Sequence, residues 1–277
     1  MVLRTLGFLI PPVAARLGGA LFRLPPRRPP SRADSEALAT GRFRMARDGR
    51  LRIATWFWGE GPAVLLVHGW GSRGGRLASF IPPLVEAGYS VLAFDAPGHG
   101  ASPGRLSSLP QFIDATALAA ATAADGSTSG RNRGVHGIVA HSMGCAAAAI
   151  AMHRGLAAVR AVFVAPPANP RVYLRIFTDA FGIPEPVHDA IRSGFERRFG
   201  FEWDDFDVTR MAGAMTTPLL ILHDREDPDV PWTDGAAIAR AWPGADLVTT
   251  EGLGHRRILH DSAVVARAIG FLRAAAA

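Results

Sequence analysis

A serine in a small-residue turn, a run of carboxylates and a glycine-flanked histidine follow one another along this 277-residue chain. Those are the residue types that nucleophilic acyl transfer needs. The serine is Ser142, in Ala140-His141-Ser142-Met143-Gly144. A short apolar run, Val135 to Ala140, leads into it, and a small-residue helical pattern from Cys145 to Ala151 follows. Strand, sharp turn with a central serine, then helix is the setting of a nucleophile elbow. The serine of such a turn is backbone-strained, and its neighbours two before and two after must be small. Here they are Ala140 and Gly144, so alanine replaces the first glycine of G-x-S-x-G. A serine hydroxyl is a weak nucleophile at neutral pH and needs a histidine base, itself oriented by a carboxylate.

In elbow-type hydrolases the order along the chain is serine, acid, histidine. Five histidines follow Ser142. His153 and His188 fall in predicted helices, His223 ends a predicted buried strand, and His260 adjoins the last predicted helix. His255 follows the last predicted strand in a glycine-flexible loop, Glu251-Gly252-Leu253-Gly254. From there it can reach the carboxyl ends of the strands, where the elbow projects, and it is the expected base. The acid is expected in Asp224-Arg225-Glu226-Asp227-Pro228-Asp229-Val230-Pro231. Asp224 is close enough to the strand end to hold the turn, and Asp227 is biased toward an extended backbone by the proline after it. Residue physics alone leaves Asp224, Asp227 and Asp229 open. Acyl transfer also builds negative charge on the carbonyl oxygen, which preorganised N–H donors stabilise. One donor is the amide of Met143, just after the nucleophile, helped by the polarity of a helix N-terminus. The other is expected from His68-Gly69-Trp70-Gly71, where two glycines let the backbone turn inward. His68 is expected to be a structural turn residue, and His141, beside the nucleophile, a supporting one.

The elements that must hold these residues read as alternating strands and helices. Phe43–Arg47 and Leu51–Trp58 flank Asp48-Gly49, a hairpin signal. Ala63–Val67 and Ser90–Phe94 are continuous apolar strands of the kind buried on both faces of a parallel sheet. A helix is expected over about Arg76–Ala87, an alanine-rich one over Leu109–Ala124, and a polar loop over Gly126–Arg133. The elbow strand follows, then strands Ala161–Ala165, Pro218–His223 and Asp246–Thr250, and a final helix over Ser262–Leu272. The rhythm breaks at Pro166-Pro167. Residues 168–215 carry two amphipathic stretches, Arg171–Phe181 and Val187–Phe199, and read as a small helical cap inserted over the sheet edge. The pattern predicts an α/β protein with a mainly parallel central sheet and helices on both faces. It divides into an arm (1–40), a core (41–167 and 216–277) and the cap (168–215).

From about residue 40 onward the chain resembles the serine hydrolases of the α/β-hydrolase superfamily. In that family the acid loop often reads H-G-x-x-D-x-x-V-P. His223 to Pro231 fits, with Asp224 in the glycine's place, so the resemblance selects Asp227 as the triad acid. Gly254-His255 is similar to the family's terminal G-H. The family pattern implies the backbone N–H of Trp70 as the second oxyanion donor. Asp95 to Ser102 resembles the family's D-x-x-G-x-G-x-S, read as scaffold and pocket wall. The implied activity is hydrolysis of a carboxylic ester through an acyl-enzyme, with no organic cofactor and no metal. Thioesterase, amidase or peptidase, and carbon–carbon bond hydrolase activities would use the same residues; a hydrolase-like binding protein without turnover is the rival from another class. Related dehalogenases and epoxide hydrolases carry aspartate where Ser142 stands. The aromatics Phe177, Phe181, Phe195, Phe199, Phe201 and Trp203 point to an apolar small-molecule substrate, although cap packing explains them equally well.

Composition bounds the partners. Net charge is +6, but residues 1–52 hold eleven arginines against Asp34, Glu36 and Asp48, so the remainder carries about −2. The basic charge belongs to the N-terminal part rather than to a folded face, which argues against nucleic acid as a partner. The single cysteine, Cys145, excludes an intramolecular disulfide and reads as a small core residue. Residues 1–30 contain two short apolar runs broken by Pro11-Pro12 and ended by Pro25-Pro26-Arg27-Arg28-Pro29-Pro30. Neither is long enough to span a bilayer, and no signal peptide is expected. A cytoplasmic location is expected, with three readings open for the arm: peripheral contact with an anionic membrane, a helix packed on the hydrolase body, or a frayed terminus.

Overall fold

A computed structural model describes residues 2–27, 29–125 and 134–274. The expected polar loop Gly126–Arg133 lies outside the described residues. The first strands are β1 (Arg42–Asp48) and β2 (Leu51–Trp58), an antiparallel hairpin turned at Asp48-Gly49. They continue into β3 (Ala63–Val67), β4 (Ser90–Asp95), β5 (Val135–His141), β6 (Ala158–Val164), β7 (Leu219–Asp224) and β8 (Ala245–Thr250). The eight strands form one sheet in the order β1-β2-β4-β3-β5-β6-β7-β8. β2 runs antiparallel to β4, and β3 to β8 are mutually parallel.

The continuous apolar runs have the reason expected of them. Side chains alternate across a strand, and both faces are covered. Leu65, Ile138, Phe163 and Ile221 face one core layer, and Val64, Leu66, Val139, Val162, Leu220 and Leu222 face the other. On the first side lie α5 (Leu109–Asp125) and α6 (Met143–His153). Their alanines, such as Ala115, Ala119 and Ala146 to Ala149, are fully buried and let the two helices approach closely. On the second side lie α4 (Ile81–Glu86) and α12 (Ser262–Arg273). Each large aliphatic side chain buried this way contributes about 1.5–3 kcal/mol.

Three differences from the sequence expectation lie in the core that holds the sheet. The helix expected over Arg76–Ala87 is split: a 3-10 stretch covers Gly74–Phe80, and α4 starts only at Ile81, with Pro82 and Pro83 in its first turn, where a missing N–H does no harm. A helix not foreseen, α10 (Trp232–Ala241), connects β7 to β8. His255 lies not in an open loop but in a single helical turn, α11 (Gly254–Arg257).

Between β6 and β7 the chain forms α7 (Val172–Ala180), α8 (Glu185–Phe199), a 3-10 turn and α9 (Val208–Ala212). The N-terminal residues form α1 (Val2–Leu9), α2 (Pro11–Phe22) and α3 (Arg32–Ala39). Ser31 caps α3 reciprocally with Asp34. The arm packs on the body: buried Ala14 and Gly18 lie one turn apart on α2, which rests on α8, and a Cβ at Gly18 would come within 2.9 Å of Ile191 Cδ1.

Candidate active site

The elbow at the end of β5 is strained as expected. Ser142 has φ 55° and ψ −130°, one of two non-glycine residues with positive φ among those described. Its amide donates to Val164 O at 2.9 Å, and its carbonyl accepts from the Cys145 amide at 2.8 Å. Gly144 is obligatory: a Cβ there would sit 2.5 Å from His68 O and 2.6 Å from Val67 O. Ala140 is fully buried in β5 and is accommodated.

The loop after β3 lies against the elbow. A Cβ on Gly69 would be 2.9 Å from Ser142 Cβ, so glycine is what lets the Trp70 segment close in. Two buried histidines shape this loop. The amide of Ala96 donates to His68 Nε2 at 2.9 Å, so Nδ1 carries the proton and donates to Gly69 O at 2.7 Å. The amide of Gly71 donates to His99 Nε2 at 3.0 Å, and His99 Nδ1–H donates to Pro97 O at 3.0 Å. Both rings are therefore neutral, and burial depresses their pKa values to about 4 for His68 and about 3 for His99. Asp95 accepts from the Gly74 amide at 2.8 Å and the Ala101 amide at 2.7 Å, and Ser102 Oγ accepts from the Ala54 amide at 2.8 Å. The Asp95–Ser102 segment is thus a brace.

Geometry separates the three carboxylates that residue physics left open. Asp224 is consumed by structure: it accepts from Thr250 Oγ1 at 2.7 Å, the Leu253 amide at 3.0 Å and the Glu226 amide at 3.1 Å. Burial alone would raise its pKa, but these hydrogen bonds hold it below the ordinary carboxylate value. Asp229 pairs with Arg256 at 3.2 Å on the surface. Asp227 has a fully buried side chain, and its Oδ2 accepts from His255 Nδ1 at 2.7 Å. Its Oδ1 accepts from the amides of Asp229 at 2.8 Å and Val230 at 2.9 Å. The Nε2–H of His223 has two acceptors in range, Val230 O at 3.1 Å and Asp227 Oδ2 at 3.5 Å; the nearer takes the hydrogen bond and leaves the carboxylate a weaker contact. Burial pushes Asp227 up, but these donors outweigh it and hold the carboxyl well below its usual range.

His141 supports His255 from the other side. Its Nε2–H donates to His255 O at 2.9 Å, with ring centroids 4.6 Å apart. Burial, then the neighbouring His255, push its own pKa down to about 3. Ser142, His255, Trp70 and Met143 all line one cavity of about 750 Å³. Asp227 stands behind His255, and His153, His188 and His260 are not among the lining residues. The aromatics Phe177, Phe181, Phe195, Phe201 and Trp203 do line it, and they also pack on one another, so both readings of them hold. Phe199 instead lies beneath Arg23 and Arg198.

The contribution of the arm to this cavity was not foreseen. Leu21, Phe22, Leu24 and Pro26 form part of its wall. Pro26 sits on Gly71, where a Cβ would be 2.6 Å from its Cγ. The sequence signal was the Ala14/Gly18 pair, which marks a face for close helix packing.

A larger depression, about 1350 Å³, lies on the outer face of α7 and α8; Phe201 and Trp203 border both, but Ser142, His255, Trp70 and Met143 do not line it. Its charged side chains pair among themselves, as in Arg171–Asp204 and Arg192–Glu196. Glu185, His188 and Asp189 cluster there at metal-ligand separations. Each has another partner: Arg175 at 2.6 Å, Thr178 Oγ1 at 3.0 Å and Arg192 at 3.5 Å, respectively.

A sheet of this topology with a strained serine after β5 invites comparison with known hydrolases. The model of the alpha/beta hydrolase family matches residues 64–268. The chain belongs to that family. Among solved structures, this alpha/beta hydrolase is similar to the esterase Pf2001 of Pyrococcus furiosus, at 19% identity and a TM-score of 0.65, covering 90% of this chain and 98% of that one. It is equally similar to Est1E from Butyrivibrio proteoclasticus, solved with ferulic acid bound, at 19% identity and a TM-score of 0.65, covering 83% and 97%. At these identities the likeness shows the fold. Two curated relatives match short segments. Both are pimeloyl-[acyl-carrier protein] methyl ester esterases. That of Methylococcus capsulatus is 49% identical over 45 residues, 16% of this chain and 17% of the relative. That of Chromobacterium violaceum is 46% identical over 61 residues, 22% of each. The matches thus span about a fifth of those relatives.

Proposed function

We propose that this alpha/beta hydrolase cleaves a carboxylic ester through an acyl-enzyme, with Ser142 as nucleophile, His255 as general base and acid, and Asp227 as the carboxylate that orients it. The observation that carries the reading is the 2.7 Å contact between His255 Nδ1 and the buried Asp227. It fixes the tautomer with Nε2 unprotonated, on a ring that lines the same cavity as the strained Ser142. Nε2 takes the hydroxyl proton as Ser142 Oγ attacks the ester carbonyl carbon. The amides of Trp70 and Met143 stabilise the tetrahedral oxyanion. His255 returns the proton to the departing alkoxide, releasing the alcohol and leaving the acyl-serine. Water, deprotonated by His255, then attacks the acyl carbon. Collapse frees the acid, and the proton goes back to Ser142. Asp227, held ionised, stabilises the imidazolium without becoming protonated. The apolar wall favours an apolar acyl or alcohol part. The two short-segment relatives hydrolyse methyl esters, which supports an ester over an amide.

An active-site-directed fluorophosphonate tests this. It is expected to label Ser142, and Ser142→Ala should remove both the label and at least about 10⁴-fold of the turnover of a chromogenic ester. Folded protein that takes no label overturns the proposal.

A further inference from the structure

Among the described residues thirteen large hydrophobic side chains are exposed, and seven of them fall within residues 8–24. Helix α2 shows how. Its inner face is small and buried, Ala14 and Gly18, against α8. Its outer face carries Val13, Leu17 and Leu21 at four-residue spacing, exposed by 38%, 50% and 38%. A surface helix ordinarily keeps polar residues on that side. The end of α1 and its junction with α2 add Phe8, Leu9 and Ile10, at 70%, 72% and 49%. At the other end Leu24, exposed by 42%, and Phe181 of the cap, by 43%, continue the patch. Clustered exposure of this kind marks a docking face rather than ordinary surface scatter.

Charge identifies the occupant. Residues 1–30 contain five arginines and no carboxylate. Among them, Arg16 is exposed on α2 beside Leu17, and Arg27 is exposed beyond Leu24, with its guanidinium on Gly104 O. An apolar strip rimmed by cations matches the interface of an anionic bilayer, where acyl chains meet negative headgroups. A second copy of the chain would bring the same cations against one another. No helix among the described residues is long and apolar enough to cross a membrane, so the contact is one of lying on the surface.

We infer that α2 and its flanking residues seat the protein on an anionic membrane surface. The patch and the cavity share a rim: Leu21, Leu24 and Phe181 are exposed and also line the cavity that holds Ser142. The seated face is therefore the one through which that cavity opens. The docking itself does not depend on the esterase reading.

Vesicle flotation of the full chain tests it, with phosphatidylcholine vesicles alone or with about 30 mol % phosphatidylglycerol. The expected result is binding to the anionic vesicles that weakens in high salt, and at least tenfold weaker binding to phosphatidylcholine alone. Ser142→Ala should bind as the parent does, which separates docking from catalysis. Leu9→Ser/Val13→Ser/Leu17→Ser, none of which lines the cavity, should lose about tenfold or more in binding and still unfold at the parent's midpoint. Equal binding by that variant, no binding to either vesicle, or a dimer that the same substitutions dissociate would each overturn the inference.

Discussion

Acidification should unfold this protein through histidines that the fold keeps neutral. His68, His99 and His141 are buried, and their folded pKa values lie at about 4, 3 and 3. Burial is the main cause; in addition, Nε2 of His68 and of His99 each accept a backbone N–H, so a second proton would have to evict it. The unfolded chain has no such objection and protonates near pH 6.5. The folded pKa values lie below the unfolded one, so the unfolded state binds more protons, and stability is full above about pH 6.5 and falls as pH drops toward 4. Between about pH 7.5 and pH 5 each group costs roughly 2 kcal/mol, together roughly 6 kcal/mol. That is on the scale of a whole domain's stability, about 5–15 kcal/mol. Function goes with stability, because the amide released by protonated His99 belongs to Gly71, in the loop proposed to supply an oxyanion donor. Guanidinium unfolding followed by tryptophan fluorescence across this pH range measures the slope. His99→Gln, whose Oε1 can accept from Gly71 without titrating, should flatten it by about a third. A midpoint that does not move with pH, or a His99→Gln slope equal to the parent's, would refute the reasoning.

The remaining expectations concern the acid loop and the elbow. Asp227→Asn should lower kcat by about 10³–10⁴ with the fold intact, because the amide no longer selects the Nδ1–H tautomer of His255; Asp229→Asn, which loses only a surface pair, should change kcat less than about threefold. Steady-state kinetics on one chromogenic ester compares the two, and equal effects would shift the acid role away from Asp227. Gly144→Ala drives a methyl into the backbone carbonyls of Val67 and His68, which cannot yield as a flexible side chain would. It should cost about 3 kcal/mol or more in denaturant unfolding and remove the proposed turnover of the chromogenic ester along with the elbow geometry.

What could be read in advance, and what could not, divides by the range of the interaction. Strands β3 to β7 are legible because each is buried on two faces, and short apolar runs such as Ala63–Val67, Val91–Phe94, Ala161–Val164 and Leu219–Leu222 record that locally. Elbow and glycine positions are legible for the same reason: Gly144 is required by the chain's own close approach. The choice among Asp224, Asp227 and Asp229 was beyond residue physics, because all three sit on one loop and differ only in what comes to meet them. Thr250 and the Leu253 amide from the β8 side occupy Asp224, and Arg256 takes Asp229. Helix α10 escaped because Gly235 interrupts its pattern, and that glycine exists for a long-range reason: a Cβ there would lie 2.4 Å from His223 Nδ1. The arm makes the point most sharply. Its apolar residues look alike in sequence, yet Ala14 and Gly18 face inward and Val13 and Leu17 face out. Periodicity reports that a helix has two faces. It reports which face is buried only when one of them is polar, and on α2 neither is. A chain that spends hydrophobic residues on both sides of a helix has two surfaces to cover, and the fold covers one.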